Sequence, residues 1–195
     1  VSHYWILISG KQGSGKSTTA RELKTQLSRY GYRIAQVSLA DPIRQAANQA
    51  MLSLNSVPTA DQYGRLLQLL GQWGREVDEN FWVDRLRHKI STTEFHPDTF
   101  FICDDVRFLN ELENLPNVED RKLRIRLYCP EVVRQQRAEK WRPTAHESEI
   151  ALDQAPLGTW DLILGTDITP LPDVIRQILE RISLVKRIPE AQDSL

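Results

Sequence analysis

Cysteine is almost missing from this chain. The two present, Cys103 and Cys129, sit inside apolar, strand-like runs. That excludes a disulfide scaffold and fits reduced, buried thiols. Long apolar runs are missing too: none approaches the roughly 18 residues that a membrane helix needs. Val1 to Gly10 lacks the charged start and small-residue cleavage site of a signal peptide. The expected compartment is the cytoplasm, and no membrane partner is expected. Neither sign of charge dominates, with 25 Lys plus Arg against 26 Asp plus Glu and a net charge of −1. A globally basic coat for nucleic acid is therefore excluded as the default, although a local basic patch is not. Internal repeats and low-complexity tracts are absent.

What is present is enough apolar content, 41% of 195 residues, to build one core. A single domain over 1–195 is the expectation. Of the 25 basic residues, 18 are Arg. The planar guanidinium fork matches phosphate oxygens two at a time. A coding bias accounts for most surface arginines, so the excess matters where several gather near a phosphate-binding motif.

Short apolar runs alternate with helical periods. Tyr4–Ile8 reads as a buried strand and Ser17–Tyr30 as a helix closed by Gly31. Arg33–Leu39 is a second strand. Asp41-Pro42 then opens a helix whose apolar face runs through Ile43, Ala47 and Leu54, with Asp41 a candidate N-cap. Asp61–Trp73 is helical, interrupted by Gly71-Gln72-Trp73-Gly74, and Asp78–Ile90 is helical again. Thr99–Cys103, Leu123–Tyr128 and Trp160–Leu164 are the remaining strands. Val132–Lys140 and Pro172–Leu184 are helices, Trp141–Glu149 is polar, and the tail after Arg187 is expected to fray. Apolar strands alternating with helices predict an α/β fold with a parallel sheet covered on both faces. In such folds ligands bind beyond the carboxyl ends of the strands. Here those ends carry Gly10–Ser17, Asp41 and Asp104-Asp105.

Gly10-Lys11-Gln12-Gly13-Ser14-Gly15-Lys16-Ser17 matches G-x-x-x-x-G-K-[ST], with a strand before and a helix after. Glycines let successive backbone N–H groups face one set of phosphate oxygens, and the helix N-terminus adds positive charge. Lys16 would meet the β- and γ-phosphates, and Ser17 would ligate Mg²⁺. The loop predicts ATP as donor, contacted by Gly10, Lys11, Gly13, Ser14, Gly15, Lys16, Ser17 and Thr18. The dinucleotide motif G-x-G-x-x-G fails for want of its third glycine. Asp104-Asp105, ending the third strand, fits a carboxylate holding Mg²⁺ through water, with Asp104 the candidate.

No N-K-x-D run is present, so a GTPase is not indicated. A small domain with an Arg-bearing excursion before its last strand points to a nucleoside or nucleotide kinase. Arg134 and Arg137, three apart, with Lys140 and Arg142 beyond, are candidates for a closing lid over 130–150 that neutralises the transferring phosphoryl group; a solvated helix face is the alternative.

More specific segments follow. Ala40-Asp41-Pro42-Ile43-Arg44 resembles the A-D-P-L-K segment of the phage-type deoxynucleoside monophosphate (dNMP) kinases. Leu67-Gln68-Leu69-Leu70-Gly71, then Trp73-Gly74-Arg75 and Phe81-Trp82-Val83, are similar to blocks of that family. Asp105-Val106-Arg107-Phe108-Leu109-Asn110-Glu111 resembles its D-V-R-F-x-N-E, and His146-Glu147-Ser148-Glu149 its H-x-S-E. The segments keep the family's order over about residues 5 to 170. Ser17 departs from the Asp that many phage members carry there, and Arg44 and Ile43 replace Lys and Leu. The resemblance implies a three-layer P-loop kinase core with strand order 2-3-1-4-5, a helical acceptor region over 41–95, and transfer of the ATP γ-phosphate to a dNMP. Its partners would be small nucleotide substrates and no nucleic acid, with a homodimer as candidate assembly. Asp41, Arg44, Arg75, Trp82, Asp105, Arg107 and Glu149 would face the acceptor, and Lys16, Arg134, Arg137 and Asp105 the chemistry. Asp41 could serve as an N-cap instead, Trp73 is expected in the core, and Trp82 could stack on a base or be core. His146 and Glu149 could equally cap a helix. Gly165-Thr166-Asp167 falls where related kinases hold adenine. Other small-molecule P-loop kinases, such as dephospho-coenzyme A or phosphomevalonate kinase, and a non-catalytic ATP-sensing module remain alternatives.

Overall fold

The computed structural model describes residues 3–138, 141 and 147–186. Lys140, Arg142, His146 and the tail after Arg187 lie outside the described residues. Five strands form one sheet: β1 (Tyr4–Ser9), β2 (Arg33–Val37), β3 (Thr99–Val106), β4 (Arg121–Tyr128) and β5 (Leu162–Gly165). Their order is β2-β3-β1-β4-β5, every neighbouring pair parallel. β1 is buried along its whole length, as a central strand covered on both faces must be.

Alternation along the strands divides the core in two. On one face Tyr4, Ile6, Ile8, Phe100, Ile102 and Ile125 pack against α1 (Lys16–Arg29) and α8 (Leu171–Lys186). On the other, Trp5, Leu7, Phe101 and Cys103 pack against α4 (Phe81–Ser91) and α5 (Leu109–Asn114). Phe101 stacks on Trp5 at 4.7 Å between centroids and meets His3 and Phe95 edge-on. Truncating so enclosed a ring to Ala would cost about 3–5 kcal/mol. Both cysteines are buried and unpaired, and burial followed by the neighbouring Asp105 pushes the Cys103 thiol up. At the amino ends of the strands, buried Asp120 accepts from His3 N, Trp5 Nε1 and Asn117 N at 2.8–2.9 Å.

α2 (Ala40–Ser53) and α3 (Ala60–Val77) run between β2 and α4. α3 is one continuous helix, contrary to the interruption expected at Gly71–Gly74. Its N-terminus carries a capping box between Thr59 and Gln62. The glycines serve close packing instead: a Cβ on Gly74 would lie 2.3 Å from Trp82 Nε1. β3 runs through Asp104 and Asp105 to Val106, beyond its expected end at Cys103, and α5 was not expected from the sequence. α6 (Glu131–Arg137) and the four-residue α7 (Glu147–Ile150) complete the α-helices of the described residues, and Leu157–Thr159 is a short 3-10 turn before β5. No helix of the described residues is long and apolar enough to cross a membrane.

Candidate phosphate-transfer site

The loop Gly10–Ser17 leaves the carboxyl end of β1 and enters α1. It bends where only glycine fits. A Cβ on Gly10 would come within 2.4 Å of Ser14 Oγ, and one on Gly13, at φ +78°, within 2.6 Å of the Arg134 carbonyl. Lys16 folds back so that its ammonium donates to the Lys11 carbonyl at 2.9 Å. Burial, followed by the nearby Arg107, pushes Lys16 down to about 7, while Glu149 and Asp104 act in the opposite direction. Arg107, Glu149 and Asp104 thus all act electrostatically on the Lys16 ammonium. Ser17 is exposed at the start of α1, and Asp104 is half-buried, 3.4 Å from Gln36 Nε2. A hydroxyl and a carboxylate are the oxygen donors that suit Mg²⁺ completed by phosphate and water. Among the described residues no group of three His, Cys, Asp or Glu could hold a metal without such a ligand.

Asp105 has a different role from the one expected. Its carboxylate accepts the backbone N–H groups of Leu39 and Ala40 at 3.0 Å and the Ser38 hydroxyl at 2.6 Å. It thus caps α2 from the neighbouring strand, which is why Asp41 is not the N-cap. Asp41 lies one residue inside the helix and pairs with Arg44 and Lys89. Arg44 also donates to Ser38 Oγ at 3.3 Å, which links it to Asp105.

Arg107 pairs with Glu149, and Glu149 also accepts the Gln12 N–H at 2.9 Å. Glu111 accepts the backbone N–H groups of Arg107 and Phe108 at 2.6 and 3.0 Å. Burial pushes its carboxyl up to about 7 against those two hydrogen bonds. The Arg75 guanidinium lies 4.3 Å over the Phe108 ring. Arg75 and Arg107 are thereby brought to the same turn, and Arg107 to Lys16.

The two arginines expected in a lid part company. Arg134 is 4% exposed and donates to the Cys129 carbonyl at 3.0 Å and the Gln12 carbonyl at 3.1 Å. It braces the loop from behind rather than reaching for a phosphoryl group. Arg137 is exposed and donates to Thr166 O at 2.9 Å and Thr166 Oγ1 at 3.2 Å. With Gly15, Thr18, Thr166 and Asp167 it lines a cavity of about 420 Å³. Thr166 Oγ1 in turn donates to the Ser14 carbonyl at 3.0 Å. Thr166 and Asp167 therefore lie beside the phosphate loop.

Of the two tryptophans, Trp82 takes the core alternative left open for it and Trp73 departs from expectation. Trp82 is buried, donating to the Gly71 carbonyl at 3.1 Å, and is core. Trp73, expected in the core, is half exposed and edge-on to Phe81, in a groove of about 820 Å³ between α2, α3 and α4.

Sequence reasoning missed Arg126 and Asp153. Arg126 on β4 donates to Ser9 Oγ and Asp153 at 2.9 Å. Its signal was available: Leu-Arg-Ile-Arg-Leu puts charge at alternate positions of a strand expected to be covered on both faces, where each Arg needs a partner.

No family model matches the chain. Solved structures similar to it include the Mycobacterium tuberculosis APS kinase in complex with AMPPNP and APS. That structure is 15% identical with a TM-score of 0.57, covering 93% of this chain and 98% of that one. A shikimate kinase from Acinetobacter baumannii in complex with shikimate is 15% identical, TM-score 0.51, covering 95% of each chain. A gluconokinase from Sinorhizobium meliloti 1021 is 15% identical, TM-score 0.50, covering 92% and 91%. At such identities the likeness establishes architecture: the chain has the α/β fold of the P-loop kinases.

Proposed function

We propose that the protein is an ATP-dependent kinase that phosphorylates a deoxynucleoside monophosphate. The observation that carries this reading is the meeting of two cationic sets: half-buried Lys16 on the donor loop and Arg107 acting on it, with Arg75 at the adjoining turn. Transfer between two phosphates needs positive charge shared between donor and acceptor. Neighbours whose fold is shared act on small molecules, one of them solved with AMPPNP, which supports ATP as donor. The dNMP acceptor rests on the resemblance of residues 40–44, 67–83, 105–111 and 146–149.

In this reading Gly13–Thr18 cradle the triphosphate, and Lys16 stabilises charge on the transferring group. Ser17 and Asp104 would hold Mg²⁺, which supplies further charge when bound. Arg137, Thr166 and Asp167 flank the nucleoside end. Arg75, Arg107 and Arg44 receive the acceptor phosphate, within a helical acceptor region over 41–95. Asp105 acts at one remove, by fixing the end of β2 against α2. A coupled assay of ADP release with dTMP, dGMP, dCMP, shikimate, gluconate, dephospho-coenzyme A and phosphomevalonate tests the acceptor. At least one dNMP should stimulate turnover strongly, and Lys16→Ala should lower kcat by about two orders of magnitude. Stimulation only by an acceptor outside the nucleotides would overturn the dNMP reading.

A further inference from the structure

The chain after α6 returns two carboxylates to the phosphate loop, four residues apart. Glu149 accepts the backbone N–H of Gln12 at 2.9 Å and pairs with the Arg107 guanidinium. Asp153 pairs with the Lys11 ammonium at 2.5 Å and the Arg126 guanidinium at 2.9 Å. Arg126 is itself fixed on β4, donating to Ser9 Oγ at 2.9 Å and standing 5.6 Å from the Trp160 ring centroid. The carboxylates thus reach consecutive loop residues, Lys11 and Gln12, through different kinds of group.

The difference has a physical consequence. Asp153 holds a side-chain cation of a residue whose carbonyl accepts both the Lys16 ammonium, at 2.9 Å, and the Ser14 N–H, at 3.1 Å. An unbroken chain of polar contacts therefore runs from β4 through Arg126, Asp153 and Lys11 to Lys16. Glu149 instead holds a backbone N–H of the loop. N–H groups of such loops face the bound anion. A carboxylate already seated there competes with a phosphate oxygen for the donor and repels it. The same carboxylate engages Arg107, a cation on the acceptor side.

We propose that the two carboxylates act in opposite senses: Asp153 is a positioning residue that fixes the donor loop through Lys11, and Glu149 is an anionic place-holder shared between the donor loop and Arg107, so that each phosphate ligand eases the binding of the other. The acceptor half of this proposal rests on the kinase reading above; the donor half needs only a nucleotide at the loop. A ligand that draws Glu149 from either partner removes that cost for the second ligand, and linkage makes the factor equal in both directions.

The test begins with equilibrium binding of Mg²⁺·AMPPNP to the full chain, with no acceptor. Glu149→Gln should bind severalfold more tightly than the parent protein. Asp153→Asn should bind about tenfold more weakly, a modest cost for a misplaced reacting group, and Asp153→Glu should restore affinity. Roles confined to fold stability would shift both variants the same way or neither, and either result overturns the proposal. The second arm measures the affinities of dTMP, dGMP and dCMP with and without saturating AMPPNP. The parent should show a gain of fivefold or more, within the usual range of coupling between sites. Asp153→Asn should keep the gain and Glu149→Gln should lose it. A gain unchanged in Glu149→Gln overturns the shared place-holder. If no dNMP binds under any condition, the acceptor reading fails, while the opposite signs of the first arm stand or fall by themselves.

Discussion

Lys16 shows how much of a residue's chemistry is set by what folds around it. Its place in G-x-x-x-x-G-K-[ST] is legible, because motif, preceding strand and following helix agree. Its titration is not, because that depends on burial and on Arg107, which is 91 positions away in sequence and adjacent in space. With the free ammonium near 7 and a bound polyphosphate favouring the charged form, nucleotide binding should take up a proton above neutrality. Affinity should fall as pH rises from about 7 to 9, approaching one log unit per pH unit while Lys16 is neutral in the free protein and charged in the complex. Calorimetry of AMPPNP binding at pH 8, in buffers of different ionisation enthalpy, should report an uptake approaching one proton. The uptake should vanish in Lys16→Ala, and none in the parent would refute the assignment. The tryptophans show the opposite case. Trp73 and Trp82 both fall at apolar helical positions, and only the close approach of α3 to α4 decides which indole is enclosed.

At the scale of elements, the apolar periods placed the five strands to within a few residues and missed two features with one cause. Gly71 and Gly74 were expected to break α3, since glycine is costly within a helix. Their use lies in another helix: they let α4 bring Trp82 against the α3 backbone, where its Nε1–H meets the Gly71 carbonyl. Similarly, the cap of α2 comes from Asp105 on β3, 65 or more residues away along the chain, so no local pattern could reveal it. Gly74→Ala is expected to keep α3 helical and to force Trp82 from its seat. The loss should be about 1–3 kcal/mol in denaturant unfolding, typical of overpacking, with a red shift of tryptophan emission as the indole meets water. A neutral or stabilising outcome, as helix propensity alone would give, would show that the contact yields cheaply. Asp105→Ala should likewise fray the start of α2 and leave the Leu39 and Ala40 N–H groups unpartnered. Loss of about 1–3 kcal/mol is the expected cost. Asp105→Ala losing no stability would contradict the capping role.

For the molecule as a whole, the parallel two-faced sheet could be read from strand–helix alternation, but the order β2-β3-β1-β4-β5 could not. The apolar pattern of a strand does not state its neighbours, and the order came from the resemblance. The arrangement has an energetic consequence. The phosphate loop issues from the central strand and is fastened from four directions: by Arg134 through the Gln12 carbonyl, by Thr166 through the Ser14 carbonyl, by Glu149 through the Gln12 N–H and by Asp153 through Lys11. A ligand on the loop therefore draws on contacts with β4, β5, α6 and α7 at once. If residues 1–195 form one cooperative domain, AMPPNP with Mg²⁺ at about 100 times its Kd should stabilise the native state by about 2.7 kcal/mol. For a chain of this size that raises Tm by roughly 5–10 °C. Scanning calorimetry should show a single transition that moves upward as a unit, and Lys16→Ala should abolish the shift. An early transition that the nucleotide leaves in place would instead show that the helices over 41–95 unfold apart from the sheet. The acceptor region would then be a second cooperative unit beside the core.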